Sequence, residues 1–118
     1  MEHLKRRQDF VAAARAPSAA MPGLVVQALN RQDSAAPRLG FTCSKKIGNA
    51  VIRNRAKRRL REAARLVLCE TAQNGFDYML TGRMATARRD FADLQKDLAS
   101  ALKRLNATPN EVADKGKR

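Results

Sequence analysis

Between Lys45 and Arg65 the chain carries nine Lys or Arg residues and a single acid, Glu62. A run this basic ordinarily stays disordered, because its charges repel. Here, however, Ile52, Ala56, Leu60, Ala63 and Val67 recur at steps of four, four, three and four, the apolar stripe of a packed helix. Turned at about 100° per residue, Arg53, Lys57, Arg58, Arg61 and Arg65 share one broad arc, while Arg55 and Arg59 border the other side of the stripe. Guanidinium groups fixed along a rod can pair bidentately with successive phosphates, which an ammonium cannot match. The chemistry is therefore recognition of a polyanion, with nucleic acid the first candidate. A solvated, salt-bridged helix face would need acids one turn away, and Glu62 and Glu70 are too few. Gly48-Asn49 precedes the helix, and a glycine-containing turn at that position can offer N–H groups to an anion. As a bare motif it is an ordinary cap, with Asn49 as N-cap.

Other chemistries find little support in the residues. A metal-dependent nuclease needs converging carboxylates. The only cluster, Asp90, Asp93 and Asp97, lies at the start of the last expected helix, where the helix dipole favours negative charge. His3 stands in a basic lead with no partner for general-base work, and Cys43 and Cys69 form neither a zinc pattern nor a disulfide framework. Both cysteines read as small apolar residues of a reducing compartment.

The elements that must carry the basic helix follow from local pattern. Asp9 to Ala16 is Ala-rich and helical, stopped by Pro17. Ser18 to Gly23 reads as a small-residue connection, Leu24 to Leu29 as a strand, and Asn30 to Pro37 as a loop. Arg38 to Ser44 alternates Leu39, Phe41 and Cys43 against Arg38, Gly40, Thr42 and Ser44, a half-buried strand. The basic helix should run from Ala50 to Ala72 and end at Asn74-Gly75. Phe76 to Gly82 is a further strand. A last helix has Phe91, Leu94, Leu98, Ala101, Leu102 and Leu105 on its apolar face and is closed by Pro109. The fold class is α+β, a sandwich of helices on a small sheet.

The 118 residues suit one domain, able to bury roughly two-thirds of its unfolded surface. With 44% apolar residues it is globular, and the formal net charge of +13 attracts phosphate backbones. The N-terminal residues lead into Lys5-Arg6-Arg7, so no signal peptide is expected. No apolar run reaches membrane-spanning length, and a cytoplasmic protein is the expectation.

Lys46-x-Gly48-x-Ala50-Val51-x-Arg53-Asn54-Arg55-x-Lys57-Arg58-x-x-Arg61 resembles the RNR signature of the bacterial ribonuclease P protein subunit. Arg38-x-Gly40-x-x-x-Ser44-Lys45, Leu4-Lys5 … Asp9-Phe10 and Asp77-Tyr78 … Arg83 also match that family, so the resemblance spans Leu4 to Leu105. It implies a single-domain αβββαβα sandwich over residues 1–106, with a left-handed crossover through the basic helix, and a flexible basic tail over 107–118. It also implies the noncatalytic protein of a ribonucleoprotein endonuclease. The RNA subunit would perform the Mg²⁺-dependent removal of the 5′ leader from precursor tRNA, with no cofactor on the protein, which would broaden the substrate range. Arg53, Asn54, Arg55, Lys57, Arg58 and Arg61 would face the catalytic RNA, with Lys45, Lys46, Gly48, Asn49 and Ala50 in the adjoining loop and helix start. The leader would lie between the first helix and the sheet, held by Phe10, Arg6, Gln27 and Phe41. Expected partners are ribonuclease P RNA, one protein per RNA, and precursor tRNA; the free protein would be monomeric and away from membranes. Ala14 and Gln27 occupy positions where many relatives carry aromatics that stack on leader bases. Phe10 itself fits equally as a core residue. A general RNA-binding or ribosome-associated protein is the alternative, and a self-contained nuclease a remote third.

Overall fold

In the computed structural model, which describes residues 2–105, the central strand is the one whose residues are buried on both faces. Phe76–Gly82 (β5) directs Tyr78 and Leu80 to one side, and Asp77 and Met79 to the other. On one flank it pairs antiparallel with Leu24–Asn30 (β3) through seven residues, from Leu24↔Gly82 to Asn30↔Phe76. On the other it pairs parallel with Arg38–Thr42 (β4), from Arg38↔Asp77 to Thr42↔Thr81. Two short edge strands complete the sheet: Glu2–His3 (β1), parallel to β4, and Ser18–Ala20 (β2), antiparallel to β3. The spatial order is β1-β4-β5-β3-β2.

Three helices cover the two faces. Arg7–Ala14 (α1) lies on one, where Leu4, Ala13 and Met79 form a small core with Phe10 packed against it. Ala50–Thr71 (α2) and Phe91–Arg104 (α3) cover the other, and Leu60, Ala63, Ala64 and Leu68 of α2 meet Leu94, Leu98, Ala101 and Leu102 of α3 over Leu24, Val26, Tyr78 and Leu80. α2 also makes the crossover from β4 to its parallel neighbour β5, a connection too long for a hairpin. The element order from α1 onward is αβββαβα, as the resemblance implies, with β1 added in front.

Local boundaries differ from expectation by more than one residue at four places. α1 begins at Arg7 rather than Asp9 and ends at Ala14, because Arg15 already closes it, its N–H donating to the Ala12 and Ala13 carbonyls. Ser18–Ala20 is a strand and not a connection: small residues give no apolar alternation, yet their backbone groups pair with Gln27, Val26 and Val25. β1 has only two exposed residues and no local signal at all. β4 stops at Thr42, since Lys45–Ile47 forms a single 3-10 turn. The tail expected over 107–118 lies outside the described residues.

Two devices fix the ends of the sheet. Gly75, at φ 84, turns the chain from α2 into β5 where a Cβ would strike the Asp33 carbonyl. Its N–H donates to the Ala35 carbonyl and its carbonyl accepts from the Arg31 N–H, both at 2.7 Å. Beside it, the buried Asp77 accepts from Arg31 Nη1 at 2.6 Å and from Arg38 Nε and Nη2 at 2.8 and 2.7 Å. Asp9 of α1 joins through Arg38 at 3.3 Å, so one paired carboxylate ties β4, β5, α1 and the start of the loop after β3 together. The hydrogen bond to Asp77 is the main cause that raises the Arg38 pKa above its ordinary value.

Candidate nucleic-acid interface

α2 is one continuous helix of 22 residues, capped at its start by Asn49, whose side-chain oxygen accepts from the Ile52 N–H at 3.0 Å. The apolar stripe packs as expected, with Ala56, Leu60 and Ala63 fully buried and Ile52 and Val67 half-buried; Ala64 and Leu68 extend it. Leu60 and Ala63 pack over the sheet, so the opposite side of the helix faces water. Asn54, Arg55, Arg58, Arg61 and Arg65 are exposed, and Arg53 and Lys57 are half-buried. Among the described residues, Arg65 is the one α2 cation in an ion pair, with Glu62 one turn back. The remaining charge stays uncompensated on the surface.

The arginines are not equivalent. Arg53 folds back to donate from Nη1 to the Gly48 carbonyl at 3.1 Å, bracing the turn that carries the helix start. Arg59 points the other way: it donates to the Thr86 carbonyl at 3.0 Å and to the Arg89 carbonyl, and lies 5.6 Å from the Phe91 ring centre. It ties α2 to the segment that joins β5 to α3. Arg55 borders a groove with Ile52, Met84 and Arg88. Before the helix, Lys45 and Lys46 are exposed on the 3-10 turn, Asn49 and Ala50 are exposed at the helix start, and Gly48 is half-buried. The Gly48 N–H is already engaged, donating to the Lys45 carbonyl at 3.3 Å.

A second surface lies on the opposite face of the sheet. Arg7, Phe10, Val11 and Ala14 of α1 and Gln27, Thr42, Met79 and Thr81 of the sheet enclose an open cleft of about 310 Å³. Its floor follows from register, since Gln27 and Met79 are partners and so are Thr42 and Thr81, whose hydroxyls hydrogen-bond at 3.0 Å. Phe10 does both things the sequence leaves open, packing on the Leu4–Ala13–Met79 core while its partly exposed ring lines the cleft. The chain runs directly beneath its ring: a Cβ at Gly40 would sit 3.0 Å from Phe10 Cε1. Gln27 turns its amide nitrogen to the Ala14 carbonyl at 2.7 Å and the Ala16 carbonyl at 3.4 Å, bracing the end of α1.

Two expected leader residues fall elsewhere. Arg6 is exposed at the cap position before α1 and does not line the cleft. Phe41 is on the wrong face: side chains alternate along β4, so a strand that shows Thr42 to α1 shows Phe41 to α2, where Arg61 lies 5.9 Å from its ring centre. Arg7, Val11, Thr42 and Thr81 were missing from the expected cleft. The polar side of the β4 and β5 alternation was the available signal for the two threonines.

Asp90 and Asp97 at α3 serve structure. Asp90 caps the helix by accepting from the Ala92 N–H at 2.9 Å. Asp97 is buried and accepts from the Gly23 N–H at 2.9 Å and from Arg89. Among the described residues, no group of three or more His, Cys, Asp or Glu side chains is placed to hold a metal ion. Nor, among them, is any helix long and apolar enough to cross a membrane.

The comparisons with known proteins agree with this arrangement. The chain is 54% identical over 107 residues to the ribonuclease P protein component of Ruegeria pomeroyi, covering 88% of this chain and 86% of that one. It is 51% identical over 102 residues to that of Gluconacetobacter diazotrophicus, covering 86% and 88%. Among solved structures, the RNase P protein of Staphylococcus aureus superposes with a TM-score of 0.75 at 28% identity, covering 92% of this chain and 98% of that one. The RNase P protein of Thermotoga maritima gives 0.71 at 28% identity, covering 88% and 97%. Residues 1–106 match the family model for Ribonuclease P, and the chain belongs to that family.

Proposed function

We propose that this protein is the noncatalytic subunit of a ribonuclease P holoenzyme, in which an RNA subunit removes the 5′ leader of precursor tRNA. The exposed arc of α2 and the preceding Lys45–Ala50 segment hold the catalytic RNA. The α1 cleft holds the leader, with Phe10 as its aromatic wall and Arg7 at its side. The observation that carries this reading is the division of labour across the sheet: an uncompensated cationic helix on one face, a cleft with a partly exposed ring on the other. Arginines on a rigid helix bind phosphates largely by releasing counterions, so binding falls steeply with salt. The cleft is sparing of aromatics, since Ala14 and Gln27 line it beside Phe10; leader binding rests on one stacked base and on charge.

Hydrolysis belongs to the RNA and its Mg²⁺. The protein raises the local concentration of substrate, orients the leader and lets the complex work at physiological salt, broadening the range of substrates. One protein acts per RNA, in the cytoplasm. Reconstitution tests this. The protein with a bacterial ribonuclease P RNA, at low Mg²⁺, should stimulate 5′ cleavage of precursor tRNA, while protein alone leaves the substrate intact. RNA binding without stimulation would leave a general RNA-binding protein.

A further inference from the structure

β1 is short, but it builds something. Pairing His3 with Leu39 brings the His3 ring to 5.9 Å from Phe41, centre to centre, at 47°. Together with α2 they enclose an open recess of about 270 Å³, floored by Leu39, Phe41 and Ala64 and bordered by Cys69. Arg61 and Arg65 stand at its mouth. This is the wrong face of the sheet for the α1 cleft, and it lies alongside the second half of the cationic helix.

We propose that this recess takes up one unpaired base of the catalytic RNA, stacked against Phe41 or His3, with the flanking phosphates on Arg61 and Arg65. The inference rests on the subunit role proposed above. Charge selects the occupant. Two guanidinium groups guard an apolar floor, no acid lines the recess, and among the described residues Arg65 is ion-paired with Glu62 whereas Arg61 has no ion-pair partner. An apolar side chain would suit the floor but leave Arg61 without an anion; a nucleotide satisfies floor and cation together, since every base has a π-face and carries its own phosphate. Position selects the source. An RNA lying along Arg53, Lys57 and Arg61 passes the mouth of the recess, whereas a leader in the α1 cleft is on the far side of the sheet.

Cys69, exposed at the edge of the recess, reports occupancy without any mutation. In the complete protein saturated with ribonuclease P RNA, alkylation of Cys69 by iodoacetamide, followed by peptide mass spectrometry, should slow at least tenfold. An unchanged rate overturns the proposal, as does protection by precursor tRNA in the absence of the catalytic RNA. Phe41→Leu keeps the floor apolar but removes the stacking ring. It should weaken RNA binding about tenfold without altering the salt slope, and one unpaired nucleotide should become reactive to a 2′-hydroxyl acylating reagent. Unchanged affinity and footprint would overturn the proposal. The Cys69 measurement decides the matter should Phe41→Leu fail to fold. The two readings fail separately: an unaltered protein that does not stimulate the RNA ends the subunit role, whereas stimulation with Cys69 unprotected ends only the recess.

Discussion

At Phe10 a single ring serves core and surface together, and the two duties separate by substitution. Phe10→Leu keeps contact with Leu4 and Met79 while removing the π-face, so the fold should persist. Affinity for precursor tRNA should fall on the order of 5- to 150-fold, the equivalent of a stacked base at about 1–3 kcal/mol, with mature tRNA unaffected; equal loss on both substrates would make Phe10 purely structural. Tyr78 gives a different kind of prediction. Burial pushes its phenol above the ordinary value of 10.0, although its oxygen accepts the Gln73 N–H at 2.9 Å. A group whose pKa is raised in the folded state contributes stability that is whole below the unfolded pKa and lost as pH climbs through the folded one. Stability should therefore fall above about pH 10, and Tyr78→Phe should flatten that alkaline limb in urea titrations at pH 9 and 11. Identical limbs for the two proteins would show that the phenol does not titrate differently on folding.

The elements differ in how far they announce themselves. α2 was legible in full, its cap at Asn49 and its end within a residue of expectation, because a strong stripe, a capping side chain and an Asn-Gly stop all agree. β5 was legible to the residue, from Phe76 to Gly82. β1 and β2 were not, since their existence depends on neighbours distant in sequence: Glu2 finds Arg38, and Ser18 finds Gln27. The interface divides along the same line. The cationic arc is a local property of one helix and could be plotted from spacing alone. The cleft is assembled from α1, β3, β4 and β5, and Phe41 was misplaced because alternation tells two faces apart without saying which helix covers each. Within α2, exposure now distinguishes the arginines open to solvent from Arg59, which is engaged internally. Replacing the exposed Arg55 and Arg58 with Ala should lower the slope of log affinity against log salt for ribonuclease P RNA by about one unit for each phosphate left unpaired. Circular dichroism should show an unchanged fold, and an unchanged slope would mean that neither side chain neutralises a phosphate.

For the molecule as a whole, a charge of +13 sits on a fold whose sheet has its middle strand last in the chain. β3 and β4 share no ladder and are joined only through β5. During translation, then, the ribosome releases the β2–β3 hairpin, the short β1–β4 pair and the entire arginine-bearing helix before the segment that unites them emerges. Until residue 82 has left the exit tunnel, that helix has no sheet to lie on. A fragment ending at residue 75 should show no cooperative melting transition. The nascent chain therefore exposes its cationic helix before it has a structure to direct it, beside the most abundant RNA in the cell.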